Sequence, residues 1–246
     1  MSDDILYGVN PVREALRGNR RAFELFVQTS GSDQRIAKIV ALAEEKGVAV
    51  RRRERADLER LAGNAHHQGL VLRVAPFAYT DLHDFLSARV GEATPLFLLM
   101  LDGIQDPQNL GALIRSAACA GAQAVIIPKD RACGVTPVVE KSSAGAVETI
   151  AVIQVTNLVQ ALEQLKKVGC WVYGLAGEAE KDMYHTDLRG NLVLIIGSEG
   201  EGLRPLVRKQ CDGLLAIPQY GGVSSLNASV AGGIVLFEAA RQRSMP

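Results

Sequence analysis

Leu192-Val193-Leu194-Ile195-Ile196-Gly197-Ser198-Glu199-Gly200-Glu201-Gly202-Leu203-Arg204-Pro205 decides the architecture of this chain. Its five successive apolar residues leave no polar face. That is the pattern of a strand covered on both sides, as in a parallel sheet. The run stops at closely spaced glycines, and Pro205 is placed to open a helix. Strand, glycine turn and helix make the unit of an α/β fold, and the surrounding chain repeats it. Strands are predicted at 96–101, 123–127, 151–155, 170–176, 192–197 and 213–217, and helices at 109–120, 157–168, 204–210 and 227–242.

Residues 1–75 read as a separate, smaller α/β layer. Helical spacing is seen at 12–17 and 33–46, where Ile36, Ile39, Val40 and Ala43 recur and Gly47 follows as a natural terminator. Strands are predicted at 23–29, 48–52 and 69–74, a short helix at 55–61, and a polar loop at 64–68. Residues 76–95, with Pro76 and a short amphipathic stretch (Leu82, Phe85, Leu86), are expected to link this domain to a second one at 96–246.

Composition narrows the function classes. With 48% hydrophobic and 22% charged residues, the chain is globular rather than disordered. No apolar run nears the roughly 18 residues of a membrane span, and Asp3 and Asp4 stand where a signal peptide would carry basic residues. Cys119, Cys133, Cys170 and Cys211 form no Cys-x-x-Cys pair, so neither a zinc site nor a disulfide framework is expected; buried thiols in a reducing cytoplasm are. The zero net charge speaks weakly against nucleic acid, but it is unevenly split. Residues 1–75 hold 13 Lys+Arg against 10 Asp+Glu, a net of +3, and the remainder 14 against 17, a net of −3. The densest cationic spot is Arg51, Arg52, Arg53 and Arg55; on composition alone a solvated strand edge is the simpler account.

Sites in open parallel sheets form beyond the carboxyl ends of the strands, and three such segments are unusually polar. The first runs from Asp102 to Arg115, with Asn109 as a candidate N-cap and Gly111 as a close-packing position. Arg115 follows among small and apolar residues, where a guanidinium needs either an anion or a structural carboxylate partner. The second is the Gly-x-x-Gly-x-Gly turn at 197–202. It lacks the dinucleotide spacing Gly-x-Gly-x-x-Gly, and its carboxylates would repel a pyrophosphate. It suits a ligand that is cationic or rich in hydroxyl and amino groups. The third, 217–231, leads from a strand through Ser225, Leu226 and Asn227 into a helix of small residues. No His or Cys lies near to activate a serine, which argues against a Ser-His-Asp hydrolase.

In this order, the three segments resemble the three motifs of the SpoU (TrmH-like) RNA ribose methyltransferases of the SPOUT superfamily. The first stands here as Asn109-Leu110-Gly111 with Arg115, the second as Ile196-Gly197-Ser198-Glu199-Gly200-Glu201-Gly202. The third is Ile217-Pro218 through Ser225-Leu226-Asn227-Ala228-Ser229-Val230-Ala231. The likeness spans 96–243. Tyr7-Gly8-Val9-Asn10-Pro11-Val12, Glu14-Ala15-Leu16 and His67-Gln68-Gly69 resemble that family's small substrate-binding domain. The resemblance implies an α/β fold whose C-terminal parallel sheet is closed by a deep trefoil knot, an arrangement that general topology rules treat as exceptional. It also implies S-adenosylmethionine as methyl donor, no metal, and a homodimer in which Asn109 and Arg115 of one subunit face cofactor held by the other. Asn109, Arg115, Glu199, Ser225 and Asn227 become the candidate catalytic residues, and Gly197, Ile217 and Leu226 the candidate cofactor-binding ones.

Lys129-Asp130-Arg131 and Val155-Thr156-Asn157-Leu158 agree with family members that methylate a guanosine ribose in the peptidyl-transferase region of 23S rRNA, whether free or in a pre-ribosomal particle. A tRNA ribose methyltransferase and a non-catalytic RNA-binding relative stay open as alternatives. A nicotinamide-dependent dehydrogenase lacks its glycine signature. An arginine is a poor base because it is effectively always protonated. Arg115 is therefore expected to grip a substrate phosphate and orient or acidify the 2′-hydroxyl, although removal of the proton by Arg115, assisted by that phosphate, stays open. Glu199 is a rival base, or orients Arg115 or the cofactor loop. RNA binding is expected mainly from residues 1–75, through the arginines at 51–55 and the loop His66-His67-Gln68.

Overall fold

Local signals set the elements in chain order. The computed structural model describes residues 3–29, 33–222 and 225–244; Val223 and Ser224 of the third polar segment lie outside them. The chain opens with β1 (Asp4–Tyr7), α1 (Val9–Arg17), β2 (Ala22–Gln28), α2 (Gln34–Glu45), β3 (Ala49–Arg53), α3 (Arg55–Ala62) and β4 (Leu70–Val74). It continues through α4 (Leu82–Ser87), β5 (Phe97–Asp102), α5 (Pro107–Cys119), β6 (Ala124–Pro128), α6 (Pro137–Ser142), β7 (Ala151–Val155) and α7 (Leu158–Lys167). It closes with β8 (Trp171–Leu175), β9 (Lys181–Asp182), β10 (Leu192–Gly197), α8 (Pro205–Gln210), β11 (Gly213–Ala216) and α9 (Ala228–Ser244). Side-chain caps start several helices: Asp33 accepts from the Arg35 amide, and Asn157 from those of Val159 and Gln160.

Two compact units result, residues 1–78 with 135–149, and residues 79–134 with 150–246. This differs from the expected layout in two places. The stretch read as a linker is in good part the second unit: Asp81 caps α4, and Leu82 and Phe85 are buried in that unit's core. Each contributes about 2 kcal/mol by leaving water. Conversely, residues 135–149 leave the second half of the chain and join the first unit.

In the larger unit seven strands pair in the order β7-β6-β5-β10-β8-β11-β9, every pairing parallel. β5 and β10 are buried at every residue, as their unbroken apolar runs require. Helix α9 packs on α5 and β10. In the smaller unit the order is β1-β4-β2-β3, with β2 and β3 parallel and the other neighbours antiparallel. The strand β1 escaped the sequence reading. Arg20 holds the smaller unit together: its buried guanidinium bonds Glu140 at 2.6 Å and Glu148 at 2.7 Å, and also meets Asp4. All four cysteines are free, but only Cys170 is buried; Cys119 is exposed. Among the described residues no helix is long and apolar enough to cross a membrane.

Candidate active site

The three polar segments meet at the carboxyl ends of β5, β10 and β11. In the second segment, Ser198 and Gly202 exchange backbone hydrogen bonds of 3.1 and 3.0 Å, closing residues 198–202 into a tight loop. The loop folds back on Gly197 so closely that a Cβ there would lie 2.2 Å from the Gly202 carbonyl carbon. Only glycine fits at 197. Asp102, buried at the end of β5, fixes the far side of the loop by accepting from the Arg204 amide at 2.8 Å and from its Nε at 2.5 Å. The buried carboxylate is thereby both paired and hydrogen-bonded.

Glu199 projects from this loop and joins all three segments. Its Oε1 accepts from Asn109 Nδ2 at 2.9 Å, Asn227 Nδ2 at 2.5 Å and the Ala228 amide at 3.4 Å. Asn227 Nδ2 also donates to Asn109 Oδ1 at 3.1 Å. Asn227 Oδ1 caps α9, accepting from the Ser229 and Val230 amides and from the Ser229 hydroxyl. Asn109 is not the N-cap of α5: Asp106 takes that role, accepting from the Gln108 and Asn109 amides, with Pro107 in the first turn. The displacement frees the Asn109 side chain for Glu199.

Beside this cluster lies a cleft of about 810 Å³. Gly197, Ile217 and Leu226 line it, as do Glu199, Ser225 and Asn227. Leu175, Ala176, Gly177 and Glu178 also line it. The sequence reading passed over them, although a glycine just past a parallel strand was the signal already used elsewhere. Arg208 beside Glu178 holds that carboxyl below its usual range. Apolar side chains at 175, 217 and 226, glycine backbone at 177, 197, 200 and 202, and carboxylates at 178 and 201 suit a ligand with a flat ring, hydroxyls and positive charge. A second cleft of about 500 Å³ shares Ser198, Glu199 and Glu201 with the first and is lined on its other side by Asn109 and Arg131.

Arg115 stands apart. Its side chain is exposed on α5, it lines neither cleft, and among the described residues it has no ion-pair partner. Among the described residues no hydrogen bond or ion pair joins it to Glu199 of its own chain. Asn109, expected to face a partner's cofactor, is bonded within its own chain.

In the smaller unit, His67 is buried, its Nδ1 accepting from the Gly69 amide at 3.0 Å, and burial lowers its pKa. That bond ties its ring to the backbone of the loop, and its side chain is not on the surface. Gln68 Oε1 accepts from the Val9 amide at 2.9 Å, joining the two stretches that carried the resemblance there. β3 lies at the sheet edge with Arg51, Arg52 and Arg55 exposed and Arg53 half-buried. Arg51 is paired with Glu24 and Arg55 with Glu59, whereas Arg52 and Arg53 have no carboxylate partner among the described residues.

A profile described as the SpoU rRNA Methylase family matches residues 96–237, and one described as RNA 2′-O ribose methyltransferase substrate binding matches residues 5–80. The 23S rRNA (guanosine-2′-O-)-methyltransferase RlmB of Xanthomonas campestris pv. campestris is 46% identical over 97% of this chain and 96% of its own. The enzyme of that name from Photobacterium profundum is 44% identical over the whole of both chains. Among solved structures, the SpoU methyltransferase AviRb of Streptomyces viridochromogenes, in complex with AdoMet, superposes with a TM-score of 0.81 at 24% identity, covering 98% of this chain and 91% of that one. The AdoMet-bound rRNA methyltransferase of Sinorhizobium meliloti gives 0.80 at 24% identity, covering 97% and 87%. These two likenesses carry the fold.

Proposed function

The chain belongs to the SpoU rRNA methylase family, and on that premise we propose that it transfers a methyl group from S-adenosylmethionine to the 2′-hydroxyl of a guanosine ribose in 23S rRNA. The observation that carries the reading is the convergence of Asn109 and Asn227 on one carboxylate oxygen of Glu199 beside a glycine-walled cleft. The full-length likeness to the guanosine methyltransferases supports the choice of target.

The cleft fits the cofactor: Leu175, Ile217 and Leu226 would enclose its adenine, glycine backbone would take its polar groups, and Glu178 or Glu201 would meet its hydroxyls or ammonium. When bound, the cofactor supplies a methyl group already activated by its sulfonium. What remains for the protein is to align the ribose hydroxyl and ease loss of its proton. Glu199 holds Asn109 and Asn227 in fixed orientation and has its Oε1 occupied by donors, so we assign it to positioning. Ser225, exposed on the cleft wall, is placed to orient a bound hydroxyl or the cofactor's polar groups. Arg115 is assigned to a substrate phosphate, where a permanent cation lowers the cost of charge developing on the hydroxyl oxygen.

A homodimer follows from the same reading. Val230 and Phe237 are exposed on one side of α9, leaving that helix apolar on both faces, and Arg115 is reached by neither cleft of its own chain. A second copy that covers α9 would bring Arg115 to the partner's cleft. The expected knot is supported by strand order: after β11, two strands away from β10, the chain returns through 217–227 to pack α9 on β10 and α5. We assign RNA capture to the smaller unit, with Arg52 and Arg53 among its cations that have no carboxylate partner, and place the work in the cytoplasm with the rRNA.

The test is transfer of labelled methyl from S-adenosylmethionine to 23S rRNA made without the enzyme, supplied free or in assembling particles, followed by mapping of 2′-O-methyl groups. One new guanosine site is expected. Labelling of tRNA with none of 23S rRNA would replace this target with the tRNA reading.

A further inference from the structure

The second cleft contains a cation that no intramolecular contact explains. Of the charged groups around it, Asp102 is paired with Arg204, Asp106 caps α5, Glu199 holds the two asparagines, and Glu201 is exposed at the wall shared with the first cleft. Arg131 is exposed and has no carboxylate partner among the described residues. Its backbone is left-handed, with φ +59°, a conformation that glycine adopts freely and arginine does not. The loop is held there: the Cys133 amide donates to the Ile104 carbonyl at 2.9 Å, and the Arg131 carbonyl lies against Gly103. Strain of this kind collects where a side chain serves a ligand. The volume of about 500 Å³ is within the range of small-molecule sites, and the shared wall of Ser198, Glu199 and Glu201 places it next to the first cleft.

We propose that this second cleft seats the acceptor nucleotide of the RNA, with Arg131 gripping a backbone phosphate next to the target ribose. The assignment rests on the methyl-transfer reading above and deepens it. If the first cleft holds the methyl donor, the acceptor must approach from an adjoining space, and this one adjoins it at Ser198, Glu199 and Glu201. A fork of N–H donors without a partner is the group that phosphate recognition requires.

The experiment uses the full-length Arg131→Gly and Arg131→Lys variants. Glycine removes the guanidinium and relieves the left-handed backbone, so Arg131→Gly is expected to melt at or above the wild-type temperature and to bind S-adenosylmethionine with unchanged affinity. Its KM for 23S rRNA should rise about tenfold or more, kcat should fall less, and the slope of log affinity against log salt should shrink by about one phosphate contact. Arg131→Lys should recover part of the KM. An Arg131→Gly enzyme with wild-type KM and salt slope would overturn the assignment while leaving the methyl-transfer reading intact. Wild-type protein that neither binds S-adenosylmethionine nor methylates RNA would remove the premise itself.

Discussion

One oxygen, Glu199 Oε1, collects donors from residues 109, 227 and 228, and its occupation separates positioning from proton removal. Glu199→Gln keeps an acceptor for the asparagines and loses only charge. Its single-turnover rate is expected to fall by about tenfold or less, with an unaltered pH–rate profile. Arg115→Lys removes the planar fork and should lose at least about 100-fold. A Glu199→Gln enzyme as slow as Arg115→Lys, with the ascending limb of its pH profile gone, would make Glu199 the base. Part of this was legible: the segments at 197–202 and 217–231 stand out as strand ends, the family resemblance picks Gly197, Glu199, Ile217, Ser225, Leu226 and Asn227 within them, and all six line one cleft. Illegible was which residue caps α5, because Asp106 and Asn109 are both good caps and only the start at Pro107 decides between them. The burial of His67 was hidden too, since a His-His-Gln loop looks like surface until its backbone is seen to turn inward.

At the scale of elements, the apolar runs announced the parallel strands because a strand covered on both faces has no room for polar residues. Short elements escaped. β9 is two residues long, and α6 is a six-residue helix with no periodicity to read, started by Thr136 and Pro137. Close approach of elements also leaves little trace in a sequence. Gly232 on α9 sits so near α5 and β10 that a Cβ would fall 2.3 Å from Leu113 Cδ2 and 3.5 Å from Ile196 Cγ1. Leu113 is fully buried and has little freedom to yield. Gly232→Ala is therefore expected to lose about 1–3 kcal/mol by overpacking, despite alanine's better helix propensity. Thermal melting should show a drop of several degrees. An unchanged or raised melting temperature would mean that α9 does not pack as described. Gly233, with its nearest neighbour the Ser116 hydroxyl 3.7 Å away, tolerates alanine and serves as the control.

Relations across the whole molecule were the least legible, because they join residues far apart in the chain. Nothing near residue 140 foretold that Glu140 would meet Arg20, yet this contact brings 135–149 into the smaller unit. Burial, then the neighbouring Glu148 carboxylate, push Glu140 up to about 8 against the pull of Arg20. The folded protein thus keeps a proton that the unfolded chain releases above the ordinary carboxyl range. The stability contributed by this proton is complete below that range and is lost as pH rises through about 8. Glu140→Gln imitates the protonated form, so its melting temperature relative to wild type should climb between pH 6 and 9; a constant difference would refute the linkage. The proposed dimer is the other long-range relation, and it yields a test of the site's completeness. If Arg115 serves the partner's cleft, Arg115→Ala and Asn227→Ala spoil different halves of each shared site. Two inactive homodimers, mixed and allowed to exchange, would form heterodimers with one doubly damaged site and one intact. Random exchange then restores about a quarter of wild-type activity per site. Phe237→Glu, which puts a charge on the exposed apolar side of α9, should yield monomers by ultracentrifugation and abolish that rescue. Recovery of no activity from freely exchanging dimers would return Arg115 to the cleft of its own chain.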